Sequence, residues 1–356
     1  IIDTLQIAKA MGKPVIVHAR TVKGKGYKIA EGQHEHWHGV GPFNIADGVF
    51  IKKEGPKVAT AVFADALIDL ANKYENIVGV TAAMPSGTGI NKLMEKFPDR
   101  FWDVAIAEQH AITSMAAMAK EGFKPYITIY STFLQRGFDQ IIHDVCLMNL
   151  PVVFAMDRAG MVGNDGETHQ GVFDISFLRF IPNMILFAPR DNETLIQGLE
   201  FAYTLTSPSA IRYPRGYFKE LVYNSTPFTL GKAELLKDGS SNKLFIGYGA
   251  GVSRAIDTEV LHGEDIAILD LRFVKPIDKN ILIELSKKYD NWYVFSDSQK
   301  QGGVASAILE VLNEKRIHNV EVTSFEYDDS FIEHGETKQV EESLGLLPEQ
   351  LVLKVK

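Results

Sequence analysis

Apolar residues in this chain fall into short runs, separated by stretches in which they recur every three or four positions. Residues 1–10 (Ile1-Ile2-Asp3-Thr4-Leu5-Gln6-Ile7-Ala8-Lys9-Ala10) form an amphipathic pattern already in helical phase. Pro14-Val15-Ile16-Val17-His18-Ala19-Arg20 is a β-branched apolar run that predicts a buried strand. Residues 21–56, rich in Gly, His and Lys, have no periodicity and read as a long loop. From residue 57 the rhythm is regular. Helical patterns over 57–74 and 111–120 alternate with apolar runs at 77–81, 104–107, 126–130, 152–156, 184–188 and 210–213. Residues 217–232 interrupt it, with Asn224, Ser225, Thr226 and Pro227 as a linker. Further runs follow at 244–247, 266–269, 292–295 and 320–323.

Strands alternating with helices at this spacing predict parallel sheets covered on both faces, an α/β class. The expected organisation is a domain tail and linker over 1–56, an α/β domain over 57–222, and a smaller α/β domain over 232–356. At 356 residues, two or three cores are the natural expectation.

Composition narrows the partners. Hydrophobic residues at 46 % and charged residues at 23 % suit a soluble globular protein, and no apolar run approaches the roughly 18 residues that span a bilayer. A net charge of −8 disfavours nucleic acid but leaves room for a small anionic substrate met by local arginines. Cys146, the single cysteine, lies in an apolar stretch, reads as core, and suits a reducing cytoplasm. With no initiator Met and a helix already in phase, the chain reads as one entered in mid-domain.

Five segments carry candidate chemistry. Gly247-Tyr248-Gly249-Ala250-Gly251-Val252 follows a strand, with Asp270 about twenty residues on, and imitates a dinucleotide fingerprint. Val252 at the sixth position weakens it, and tight strand-to-helix turns need glycine anyway. In Asp103-Val104-Ala105-Ile106-Ala107-Glu108-Gln109-His110, Glu108 is either a first-turn carboxylate favoured by the helix dipole or an acid in an apolar crevice with raised proton affinity. Ile129-Tyr130-Ser131-Thr132-Phe133-Leu134-Gln135-Arg136 joins aromatics to an arginine after a strand. Residues 157–170 (DRAGMVGNDGETHQ) gather cations, acids and glycines where open sheets place ligands. His34, His36 and His38 alternate, which leaves a metal site conceivable, although no thiol is near.

DVAIAEQH, IYSTFLQRGFDQ, DRAGMVGNDGETHQG, SAIRYPRG and DLRFVKPID together resemble the 1-deoxy-D-xylulose-5-phosphate synthase family of transketolase-like thiamine-diphosphate enzymes. The likeness runs over nearly the whole chain. EQH followed by GxDGxTHQ is shared with transketolase, whereas STFLQR and DRAGxVGxDG are more specific to the synthases. The resemblance implies decarboxylating condensation of pyruvate with D-glyceraldehyde 3-phosphate, at the first step of non-mevalonate isoprenoid synthesis, which also feeds thiamine and pyridoxal. It further implies a cytoplasmic homodimer that uses Mg²⁺. Transketolase is the alternative, with two-carbon ketol transfer, and a nicotinamide-dependent oxidoreductase using the 247–252 turn is the more distant one.

The resemblance also implies roles. Glu108 would hydrogen-bond the cofactor aminopyrimidine and Phe133 would lie against it. His169 and Asp165 would contact the pyruvate-derived intermediate and move protons, as an imidazole can near neutrality. Tyr130, Arg136, Arg158 and Arg215 would receive the acceptor, its phosphate in an arginine trap. His38 would lie near the cofactor and take part in catalysis, and Lys23, a weaker match, would bind substrate. The family's Gly-Asp-Gly motif for Mg²⁺ and diphosphate occurs nowhere in this sequence. The metal ligands are therefore expected in the chain's own N-terminal domain, outside this sequence, and the 356-residue chain alone is expected to be inactive. Ser296-Asp297-Ser298 ahead of Gly302-Gly303 departs from the glutamate pair usual in relatives.

Overall fold

The structure, a computed structural model, describes residues 1–33, 37–51 and 55–356. It divides into two compact units, Ile1–Pro56 and Lys57–Lys356. The first holds the helix Ile2–Ala10 and a cluster of Tyr27, Trp37, Phe43 and Phe50, whose ring centroids lie 4.8–6.2 Å apart. The strand expected over 14–20 is absent: the segment has no regular structure, and Ile16 is 96 % exposed. A strand persists only with a hydrogen-bonded neighbour, and among the described residues of this unit the one β-bridge joins Phe43 to Phe50.

In the second unit the first sheet contains β1 (Ile77–Thr81), β2 (Phe101–Asp103), β3 (Lys124–Tyr130), β4 (Val153–Asp157), β5 (Ile185–Phe187) and β6 (Ser209–Arg212). The second contains β7 (Glu234–Lys237), β8 (Lys243–Gly247), β9 (Ala267–Asp270), β11 (Asn291–Gln299) and β12 (Glu321–Tyr327). A short strand between them in sequence, β10 (Phe273–Lys275), crosses to the first sheet and pairs antiparallel with β5. The orders are β10-β5-β6-β4-β3-β1-β2 and β12-β11-β8-β9-β7. All pairings are parallel except β10 with β5 and β7 with β9. The class is α/β with two mixed, largely parallel sheets. One strand of the segment expected as a smaller domain over 232–356 thus extends the first sheet, its other strands form the second sheet, and residues 57–356 make one compact unit.

The inner parallel strands β1, β3 and β4 are buried on both faces, which is why they read as unbroken apolar runs. The helix Ala59–Lys73 covers one face of the first sheet through Phe63, Leu67 and Leu70. The helix Glu108–Lys120 covers the other through Ala111, Ile112, Met115 and Ala119, spaced at three and four. The strand expected over 104–107 lies instead at 101–103. Ala105 takes a positive φ of 58°, and the Asp103 carboxylate accepts from the backbone N–H groups of Ala83 and Ala105, turning the chain.

Candidate active site

Because β1 to β6 run parallel, their carboxyl ends share one edge, the usual ligand position of open α/β sheets. Glu108 follows β2, Tyr130 ends β3, Arg158 follows β4 and Arg215 follows β6. Glu108 opens its helix, where the dipole favours a carboxylate, and is only 2 % exposed. Its Oε2 accepts from Arg136 Nη1 at 2.8 Å. Gly137 allows this approach, since a Cβ there would stand 2.1 Å from Ile112 Cδ1. Arg136 was expected beside the other arginines; the structure places it on Glu108.

Phe133 lies between two rings. Tyr130 stacks on it at 5.8 Å, and His169 meets it edge-on at 5.1 Å. His169 Nδ1 is 2.9 Å from Thr168 Oγ1, and Thr132 Oγ1 donates to the Thr168 carbonyl at 3.3 Å. Asp165, in a turn of 3-10 helix, pairs with Arg215 Nε at 3.0 Å. The edge thus carries three contact groups: Glu108 with Arg136, Phe133 with Tyr130 and His169, and Asp165 with Arg215.

Arg158 is committed inward. It has a φ of 58°, and its Nη1 donates to Asp157 Oδ1 at 2.9 Å and to the Gly87 carbonyl at 2.5 Å. Its guanidinium lies 4.1 Å from the Tyr130 ring centroid, a cation–π contact. Asp157 is fully buried and also accepts from Thr60 Oγ1 at 2.7 Å. Burial pushes its carboxyl above the usual range, against the pull of Arg158 and Thr60. Burial likewise raises the Tyr130 phenol, with Arg158 opposing. Sequence reasoning assigned no role to Thr60, Gly87 or Asp157. Gly87 had a structural cause, as a Cβ there would meet Tyr130 Oη at 1.8 Å, but nothing local to its sequence signals it.

In the first unit, Lys23 Nζ and His38 Nδ1 lie 2.6 Å apart. His34 and His36, the other members of the alternating histidine run, lie outside the described residues. The dinucleotide-like turn is closed by packing: a Cβ on Gly251 would meet the Phe295 carbonyl at 2.1 Å. Asp270 sits in a buried ionic cluster, bonded to Arg190 at 2.8 Å beside Glu234 and Arg272. No ribose could reach it without dismantling that cluster.

Residues 57–219 match the transketolase pyrimidine-binding domain and residues 231–351 the transketolase C-terminal domain. A chain described as "split gene transketolase, inactive beta4 tetramer" superimposes with a TM-score of 0.75 at 25 % identity, covering 85 % of this chain and 97 % of that one. The transketolase of Campylobacter jejuni superimposes at 0.68 with 19 % identity, over 84 % and 46 % of the two chains, a likeness of fold. The chain belongs to the transketolase-like family, of which it carries the pyrimidine-binding and C-terminal domains. Within that family it is 82 % identical over 356 residues to the 1-deoxy-D-xylulose-5-phosphate synthase of Aliarcobacter butzleri and 62 % identical over 357 residues to that of Sulfurimonas denitrificans. It spans 59 % of the length of each of these curated relatives.

Proposed function

We propose that this chain supplies the pyrimidine side of the thiamine-diphosphate site in a 1-deoxy-D-xylulose-5-phosphate synthase, joining pyruvate to D-glyceraldehyde 3-phosphate with loss of carbon dioxide. The observation that carries the reading is Glu108, a buried carboxylate at a helix start on the ligand edge, held by Arg136, while on the same edge the Phe133 ring meets His169. That set fits an aminopyrimidine. A carboxylate can hold a ring nitrogen, and a half-buried phenyl ring offers the heterocycle an apolar face. Bound thiamine diphosphate supplies the carbon nucleophile and electron sink for decarboxylation.

The chain's own groups do the rest. Glu108 orients the pyrimidine and holds a proton on it through its carboxylate. His169 moves a proton at its imidazole, oriented by Phe133 and Thr168. Arg215, the more exposed of the two cations near Asp165, takes the acceptor phosphate, and Arg158 with Tyr130 shapes the wall behind it. His38 serves the cofactor side and Lys23 the substrate. We assign the diphosphate and its Mg²⁺ to sequence in the part of the relatives that this chain does not match. The similarity to an inactive split-gene transketolase chain supports inactivity of this polypeptide alone, and supports oligomer formation. The assembly is taken to be a cytoplasmic homodimer serving isoprenoid synthesis.

The test is release of labelled carbon dioxide from pyruvate, with thiamine diphosphate and Mg²⁺, by the enzyme carrying its diphosphate-binding domain. Release should rise on adding glyceraldehyde 3-phosphate and fall at least about 100-fold in Glu108→Ala, the scale of a lost proton-handling group. No release from pyruvate, with ketol transfer from xylulose 5-phosphate instead, would make the chain part of a transketolase.

A further inference from the structure

Residues 160–171 carry both Asp165 and His169, yet contain only two short 3-10 turns. Such a segment holds its shape only through bonds to fixed neighbours. It is closed first at its base, where Gly160 and Gly171 exchange backbone N–H···O bonds of 2.7 and 2.8 Å. The second closure is the buried amide of Gln170, whose Oε1 accepts from the Val162 N–H at 2.9 Å. Nε2 of the same amide leaves the loop and donates to the Glu333 carbonyl at 3.4 Å. Nearer the tip, Asn164 Nδ2 donates to Glu336 Oε1 at 2.8 Å. Thr337 closes the gap behind, so that a Cβ on Gly163 would stand 2.5 Å from its Oγ1.

Residues 333–337 lie between β12 and the helix Thr337–Ser343, in the C-terminal domain. We propose that this stretch positions the Asp165–His169 loop, with Gln170 as the positioning residue that joins the two. The inference rests on the reading of Asp165 and His169 as site residues. Val162 shows how the effect is transmitted. Its N–H is held by Gln170, and its carbonyl accepts from Arg215 Nη1 at 3.4 Å, the same guanidinium that pairs with Asp165. Moving Gln170 therefore moves the Arg215–Asp165 pair. The chemistry explains the residue type. Position 170 must accept from an N–H and donate to a C=O at once, which an amide does and an ionised carboxylate cannot.

Gln170→Glu and the exchanged pair Asn164→Asp/Glu336→Gln test this. Amide hydrogen exchange over residues 160–171 of this chain is one readout; kcat and KM of the enzyme with its diphosphate-binding domain are the other. In Gln170→Glu the carboxylate can still accept from Val162 but can no longer donate to the Glu333 carbonyl, so exchange across residues 160–171 should rise about tenfold, the loss expected for one buried hydrogen bond. It should return toward wild type as acid protonates the new carboxyl, which can then accept and donate together. kcat should fall with little change in the KM for pyruvate. Asn164→Asp alone, facing Glu336, should speed exchange at the loop tip, and adding Glu336→Gln, which restores a donor opposite an acceptor, should reverse it. Unchanged exchange in Gln170→Glu, or raised exchange with undiminished kcat, would overturn the proposal. Exchange is read without substrate, so it decides the anchoring even if the wild-type enzyme released no carbon dioxide, an outcome that would refute the synthase reading separately.

Discussion

Lys124 opens β3 at the end of the sheet opposite the site, and its burial has a measurable consequence. The residue is 4 % exposed, and its ammonium donates to the Leu205 carbonyl at 2.7 Å. Burial pushes its pKa down from 10.5 to about 8. A gap of roughly 2.5 units between unfolded and folded chains corresponds to about 3 kcal/mol. Below about pH 8 the amine is charged in both states and the full penalty applies. Between about pH 8 and 10.5 the unfolded chain keeps a proton that the folded chain has released, so stability rises with pH and the gain is complete above the unfolded value. Lys124→Met removes the charge and keeps an unbranched stem, but strips the Leu205 carbonyl of its donor, a loss of about 1–2 kcal/mol. The variant should therefore be more stable than wild type by about 1–2 kcal/mol near pH 7, and less stable by a similar amount near pH 10.5. Urea unfolding of both proteins at the two pH values measures this. The other lysines and tyrosines titrate in both chains and cancel in the difference. A wild-type-to-variant difference that stayed the same at the two pH values would refute the reasoning.

Two further perturbations separate structural from functional roles. Arg158→Ala leaves Asp157 buried without its counter-charge, at a cost of about 3–5 kcal/mol, so loss of activity there would say little about substrate. Arg215→Ala breaks a partly exposed pair worth at most about 1 kcal/mol and a long bond to the Val162 carbonyl. It should raise the KM for glyceraldehyde 3-phosphate at least about tenfold while leaving the melting temperature nearly unmoved; an unchanged KM would remove Arg215 from the acceptor site. Gly251→Ala drives a Cβ into the backbone carbonyl of Phe295 and should destabilise the chain by about 3 kcal/mol or more by thermal unfolding. Gly249→Ala, with a φ of 57° and its nearest non-neighbouring atom at 3.1 Å, should cost only about 1 kcal/mol. Equal effects at the two glycines would undo the packing account of that turn.

The strands buried on both faces were legible because burial leaves an unbroken apolar run, as in Ile77–Thr81 and Val153–Asp157. The misses have two causes. Val104 and Ile106 are as apolar as a strand requires, but the positive φ of Ala105 turns the chain there. Val15, Ile16 and Val17 have the composition of a strand but no ladder partner among the described residues of their unit. β10 runs the other way: Phe273-Val274-Lys275 is too short to stand out, and its partner β5 lies in the preceding domain. In the last two cases pairing decided the outcome, and pairing is not a local property.

The site divides along the same line. Each polar cluster lies within one short stretch of sequence, so Glu108, Tyr130, Phe133, Asp165 and His169 stand out there as candidates. Their partners could not, because sheet order brings together Thr60 with Asp157, Gly87 with Arg158, and Gln170 with Glu333. The arginines show the consequence. Grouped by type, Arg136, Arg158 and Arg215 look like one anion trap. In the fold Arg136, itself half-exposed, holds Glu108, Arg158 neutralises a buried aspartate and ties down Gly87, and Arg215 makes a partly exposed pair with Asp165. A guanidinium already matched to a buried carboxylate has little charge left for a ligand, whereas one in an exposed pair can exchange its partner for a phosphate at small cost. Affinity for the acceptor phosphate should therefore depend on Arg215 far more than the number of arginines suggests.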